Sequence, residues 1–231
     1  MRKKRLRNAP GIVLLVLLVG VFGYFLGWSK VLAIKSIEIT AAGNEALVTP
    51  RIVPKDIHIG LPMARVSSER IKHDLANMSW IGKITINRRW LAHDLRITIT
   101  EHNPIAQYLD SQGQTEYFDS HGYSFVSPNP PSGLPIITFT HQDQQSRNAV
   151  AQFLASAPSD LTVGMTSLYV DSIDQIFLTT SLPSYQQLII SWGTATEIPL
   201  KVRVLRQLLT LPENKKITNV DLTNPLTPIV K

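Results

Sequence analysis

Residues 81–101 read IGKITINRRWLAHDLRITITE. Two alternating runs flank a short polar bend. Over 81–88, Ile84 and Ile86 fall to one side and Lys83 and Thr85 to the other. Over 95–101, Leu95, Ile97 and Ile99 share one side and Arg96, Thr98 and Thr100 the other. A period of two marks a half-buried strand, so the stretch predicts a hairpin turning at 90–94 with one apolar face. Such a face needs a cover. Residues 66–80 supply one: Ile71, Leu75 and Met78 recur at i, i+4 and i+7, Ser67 stands at an N-cap position and Glu69 lies in the first turn. Upstream, Ile37 and Ile39 alternate with polar neighbours, predicting a strand over 34–40 that ends in a Gly43-Asn44 turn. The unit 34–101 is expected to be β-α-α-β-β, with helix on one sheet face.

At His102-Asn103-Pro104 the charge changes sign. Residues 30–101 hold eleven basic and seven acidic residues, 102–200 hold Arg147 alone against eight acidic ones, and 201–231 hold six against two. Short strands are expected at 105–109, 116–119 and 123–126, then a proline-rich loop over 127–133. A helix at 146–157 should stop at Pro158, with strands to follow at 166–170, 175–179 and 187–192. A last helix starts near Pro199 with the stripe Leu200, Val204, Leu205, Leu208 and stops at Leu211-Pro212, before a strand at 217–222. Residues 104–231 thus read as a mostly antiparallel β domain, one long meandering sheet with two helices. The fold class is α+β.

At the other end, Arg2, Lys3, Lys4, Arg5 and Arg7 precede 22 residues without a charge, up to Lys30. As a helix these span about 33 Å against a hydrocarbon core of about 30 Å. A membrane helix is expected over 11–29, with Tyr24 and Trp28 at the interface. The basic arm, residues 1–10, belongs on the cytoplasmic side, and everything after the helix outside. A cleaved signal peptide would carry a shorter apolar run, about 7–15 residues. Gly20, Gly23 and Gly27 are candidate positions for a close helix–helix contact. Since most of the net charge of +6 sits in the arm, the body carries no nucleic-acid signature.

Groups that carry chemistry are missing. With no cysteine there is no disulfide, thiolate nucleophile or cysteine-bound zinc. The six histidines are scattered singly, no Gly-x-Ser-x-Gly elbow occurs, no serine has lysine three positions on, and no phosphate loop is present. Glu116/Asp119 and Asp171/Asp174 could be imagined as paired carboxylates for sugar hydrolysis, but they read better as solvated faces and turns. Arg88-Arg89-Trp90 reads as surface and stacking. The chain is expected to be no enzyme, with no cofactor, no metal and no small-molecule substrate. The alternative is a signal-anchored cell-envelope hydrolase. An export protein of the outer membrane would need barrel strands of about 9–11 residues, which 130 residues broken by two helices do not supply.

A chain-wide set of marks adds to this. They are Ile34-Lys-Ser-Ile-Glu-Ile39, Gly60-Leu-Pro-Met-x-x-Val66, Trp80-Ile81, Arg88-Arg89-Trp90, Leu95-Arg-Ile97 and Glu101-His-Asn-Pro104-Ile105-Ala106. Phe118-Asp-Ser-x-Gly122, Gly133-Leu134-Pro135, Trp192-Gly193, Lys201, Leu205, Leu208-Leu209 and Val220-Asp221-Leu222 follow. In this order they resemble the bacterial cell division family FtsQ/DivIB. The resemblance implies a POTRA domain over 34–101 and the family's β domain over 104–231. It also implies a single-pass cell-membrane protein at the division septum. Its role would be a scaffold linking early cytoplasmic division proteins to late septal wall synthesis through FtsB/DivIC-like and FtsL-like partners. Leu91 departs from the family's proline after Arg-Trp. In relatives the final strands offer an edge to which FtsB adds a strand; here that implies Ile217, Val220, Leu222, Leu226, Ile229 and Val230. Pro225 and Pro228 each remove a ladder donor there.

Overall fold

The computed structural model describes residues 9–28, 30–182 and 184–231; at 9, 10, 22, 25–28 and 186 it describes the backbone alone. The basic arm up to residue 8 lies outside the described residues. The fold is α+β, with six α-helices among the described residues, divided into two compact units between Glu101 and His102.

The first unit opens with α1 (Ala9–Trp28), twenty residues without a charge. Among the described residues no helix is long and apolar enough to cross a membrane; described side chains in α1 are those of 11–21, 23 and 24. The helix is therefore a structural finding and the crossing is not. A 3-10 turn at Lys30–Leu32 leads to β1 (Ser36–Thr40), α2 (Glu45–Ile52), α3 (Ser68–Leu75), β2 (Ile81–Arg89) and β3 (Asp94–Glu101). The sheet order is β1-β3-β2, with β1 parallel and β2 antiparallel to β3. Leu95, Ile97 and Ile99 are buried, as the alternation predicts, with Val48 and Ile52 of α2 and Ile71 and Leu75 of α3. Each such side chain contributes about 1.5–3 kcal/mol on leaving water.

The helix expected over 66–80 is shorter than its pattern. Ser67 caps it, Oγ accepting from Arg70 N at 3.3 Å, but Val66 is extended. After Leu75 the amide of Ala76 turns to His73 O and that of Met78 to Leu75 O. These tighter i→i−3 bonds end the helix, leave Met78 beyond it and let Trp80 enter the core at 6% exposure.

The second unit departs further from expectation. Among the described residues it holds two sheets. β4 (Ala106–Leu109), β5 (Thr115–Phe118) and β6 (Ser124–Phe125) form a small antiparallel one. The larger is ordered β12-β11-β10-β9-β8-β7. Its strands are β7 (Ile137–Phe139), β8 (Met165–Ser172), β9 (Gln175–Leu182), β10 (Tyr185–Gly193), β11 (Asn219–Asp221) and β12 (Ile229–Val230). Only β8-β9-β10 is a meander; β7 and β11 join in parallel, after helical crossovers. Among the described residues the helices are α4 (Gln144–Ser156), α5 (Ser159–Val163) and α6 (Ile198–Thr210), three rather than two, because Pro158 ends α4 and also precedes the first turn of α5, where its fixed φ fits. α4 is capped by Asp143, whose Oδ1 accepts from Ser146 N at 2.7 Å.

Candidate functional site

The core of the second unit lies on one face of its large sheet. Ile137, Leu168, Leu178, Ile190 and Val220 follow one another across the registers and are buried with Phe153 of α4 and Ile198 and Leu205 of α6. The opposite face carries Tyr169, Phe177, Ser191, Asp221 and Ile229 in one row, with Ile189 beside it. Tyr169, Ile189 and Ile229 are exposed.

The sheet's two edges differ. Beyond β7, Gln107 of β4 bridges to Ile136 and its amide donates to Pro135 O at 3.0 Å, which covers that edge. Beyond β12 no strand follows among the described residues. β12 pairs antiparallel with β11, Val220 opposite Val230 and Asp221 opposite Ile229. Asn219 and Lys231 exchange both backbone bonds, each 3.0 Å. In an antiparallel ladder such pairs alternate with pairs that make none, so Val230 turns its N–H and C=O away from β11, toward the open side. Pro228, two residues back, offers only a carbonyl there. Asn224 holds the loop before it, its Oδ1 accepting from Leu226 N at 3.1 Å and its carbonyl from Thr227 N at 3.2 Å.

The residues singled out at this end fall into two sets. Val220 and Leu222 are buried in the core and hold β11 in place. Ile217 is half-buried against the same core, as is Val230. Leu226 and Ile229 are 81% and 55% exposed. The edge can therefore offer a short backbone ladder flanked by two apolar side chains, the means by which an extended peptide is captured. In α1, an added side-chain carbon at Gly20 or Gly23 would meet nothing within 4 Å; Gly27 lies near the helix's end, where the backbone alone is described.

Three of the four acidic residues considered for hydrolysis are engaged elsewhere, and Asp174 is exposed in the β8–β9 turn. Glu116 accepts from both Tyr108 Oη and Ser124 Oγ. Asp119 accepts from the amides of His121 at 2.8 Å and Tyr123 at 3.0 Å, and its Oδ2 lies 2.8 Å from His102 Nδ1. Burial pulls the Asp119 carboxyl upward, but these amides and His102 outweigh it and hold it below the usual carboxylate range. Asp171 accepts from Thr140 Oγ1 at 2.8 Å. An open groove of about 540 Å³ in this unit is lined by Ile105, Pro135, Ala151, Leu154, Val163 and Met165 among others, none of them charged.

Arg88 is half-buried rather than freely solvated: its Nη2 donates to Val66 O and Ser68 Oγ, both at 2.9 Å, tying β2 to the start of α3. Lys201 enters the sequence reading only as one of the marks of the resemblance, and its burial was not foreseen. It is 1% exposed, and only its spacing between Ile198 and Leu205 on the buried stripe could have pointed to it.

Comparison with known proteins adds one relationship. No family model matches the chain. The cell division protein FtsQ of Salinibacter ruber is 23% identical over 225 residues, covering 90% of this chain and 85% of that protein. A match running along nearly the whole of both chains supports placing this chain in the FtsQ/DivIB family of cell division proteins, at modest identity.

Proposed function

We propose that the chain is a non-enzymatic scaffold of the cell division machinery. On this reading α1 crosses the cell membrane, the basic arm lies in the cytoplasm, and both units lie outside, at the division septum. The first unit serves as a POTRA-type domain and the second as the family's β domain. The scaffold joins early cytoplasmic division proteins to late septal wall synthesis through FtsB/DivIC-like and FtsL-like partners.

The observation that carries this reading is the open β12 edge. It supplies outward backbone groups at Val230, next to exposed Ile229, with exposed Leu226 in the loop before the strand. A protein held by one helix in a membrane acts by raising the local concentration of what it binds, and strand addition takes its affinity from backbone bonds and its selectivity from side-chain pockets. The uncharged stretch of α1, about 30 Å long at 1.5 Å per residue, supports the anchor.

The test is co-purification of the full chain with the extracytoplasmic parts of an FtsB-like and an FtsL-like protein, alone and together. Retention of the pair, lost when residues 223–231 are removed from a chain that still folds, is the expected result. Undiminished retention moves the docking site away from β12. No retention by a folded chain overturns the scaffold reading.

A further inference from the structure

In the first unit three segments meet at one end. The carbonyl of His93, in the β2–β3 turn, accepts from Lys35 N at 2.8 Å and Ser36 N at 3.2 Å, and its Nδ1 lies 3.1 Å from Ala33 O. The third segment joins through Gly60 N to Ile34 O at 2.8 Å and Ile34 N to Leu61 O at 2.9 Å. All three are close to the end of α1, which also packs on the 3-10 turn Met63–Arg65. Ala33 follows Trp28 by five residues, which reach at most about 18 Å even fully extended, and the turn at Lys30–Leu32 shortens that reach.

This end is unusually apolar for a surface. Leu91 is 94% exposed, Ile59 69%, Val31 66% and Trp90 37%, all on the segments just described. Around them Lys30, Lys35 and Arg89 are exposed. The nearby carboxylates are already answered, Asp94 by Arg89 at 3.4 Å and Glu38 by Arg96 at 2.7 Å. Large apolar side chains ringed by cations, a few residues from a membrane helix, match the interfacial layer of a bilayer. There indole rings and aliphatic tips enter the headgroup boundary and lysines and arginines face anionic lipid.

We propose that the end of the first unit formed by Val31, Ile59, Trp90 and Leu91 seats in the headgroup layer of the bilayer that holds α1, with Lys30, Lys35 and Arg89 against anionic lipid. This rests on the reading of α1 as the membrane anchor. The seat makes the first unit a pedestal fixed on the membrane surface rather than a body swinging on a tether.

The chain has no cysteine, so single cysteines can carry a polarity-sensitive fluorophore. The full chain is reconstituted into vesicles of equal parts phosphatidylcholine and phosphatidylglycerol, labelled at Leu91→Cys, at Asn77→Cys beyond the other end of the hairpin, or at Val16→Cys in α1. The expected result is blue-shifted emission at 91 that brominated lipid quenches, unquenched emission at 77, and a smaller blue shift at 91 in pure phosphatidylcholine. Emission at 91 that stays water-like and unquenched while 16 is quenched overturns the seat and leaves the anchor standing. Quenching at neither 91 nor 16 overturns the anchor and the seat with it. Shielding at 91 that appears only on adding FtsB-like and FtsL-like proteins assigns this end to a protein contact and overturns the proposal.

Discussion

Lys201 donates through Nζ to the carbonyl oxygen of Trp192 at 2.7 Å, with both residues buried. A second bond, to Thr194 O at 3.0 Å, fixes the turn between β10 and α6, and Nζ sits 5.9 Å from the Trp192 ring centroid. Burial pulls the lysine's pKa below its ordinary value, with Glu197 acting the other way.

Lys201→Met keeps the volume but leaves two carbonyls without a donor, an expected loss of about 1–3 kcal/mol. Lys201→Ala adds a cavity and should cost about 2–5 kcal/mol. The pH dependence follows from linkage: as pH climbs toward the ordinary lysine value of about 10.4, the unfolded chain holds a proton that the folded chain releases earlier. Stability therefore rises with pH in that window, and the Met variant should lack this rise. Urea unfolding at several pH values measures both effects.

Asp119 gives the opposite limb. Its carboxyl is held below the usual range, so its contribution is present above the unfolded value of about 3.9 and lost as pH falls through the lower folded value. Asp119→Ala should destabilise the second unit by about 1–3 kcal/mol near neutral pH by orphaning two amides. Acid unfolding followed by tryptophan fluorescence should then show a flatter acid limb than in the parent chain.

Adjacent arginines should separate cleanly. Arg88→Ala removes both bonds from β2 to the start of α3 and is expected to cost about 1–3 kcal/mol. Arg89 meets Asp94 at 3.4 Å while half exposed, and Arg89→Ala should change stability by no more than about 1 kcal/mol. Thermal unfolding of the two variants side by side checks the contrast.

Much of the first unit was legible in its sequence. Its strands are local and covered on one face, so Leu95, Ile97 and Ile99 announce themselves by alternation. The second unit was less so, because its decisive pairings are distant. β7 is three residues whose partner, β8, lies beyond two helices, and nothing near Ile137 signals that bond. Along α6 the expected stripe holds at Leu205, which is buried, and at Val204 and Leu208, which pack against the core, but Ile198 and Lys201 are buried too, and a lysine there breaks the apolar pattern. For the candidate edge, the segment was visible and the orientation was not. Alternation could not say that Val220 and Leu222 belong to the core while Leu226 and Ile229 face water.

The edge itself invites a narrow substitution. Val230 points its N–H away from β11, so Val230→Pro removes a donor on the open side without breaking a bond to β11. Affinity for a strand-adding partner should fall about tenfold or more, at least 1.4 kcal/mol, while Tm stays near that of the parent. Ile189→Ser, on the open face two strands inward, should leave affinity within about threefold if capture is by the edge. Titration calorimetry with the extracytoplasmic segment of an FtsB-like protein reads both.

β12 rests on β11, and β11 reaches β10 only by a parallel crossover through α6. The proposed docking edge would thus be the last plank of a structure whose every earlier plank must be laid first, since distant parallel pairings assemble late. A molecule whose second unit is incompletely folded has no edge to offer. Recruitment through it would double as inspection: only finished copies would be admitted to the division site, with no separate chaperone needed to vouch for them.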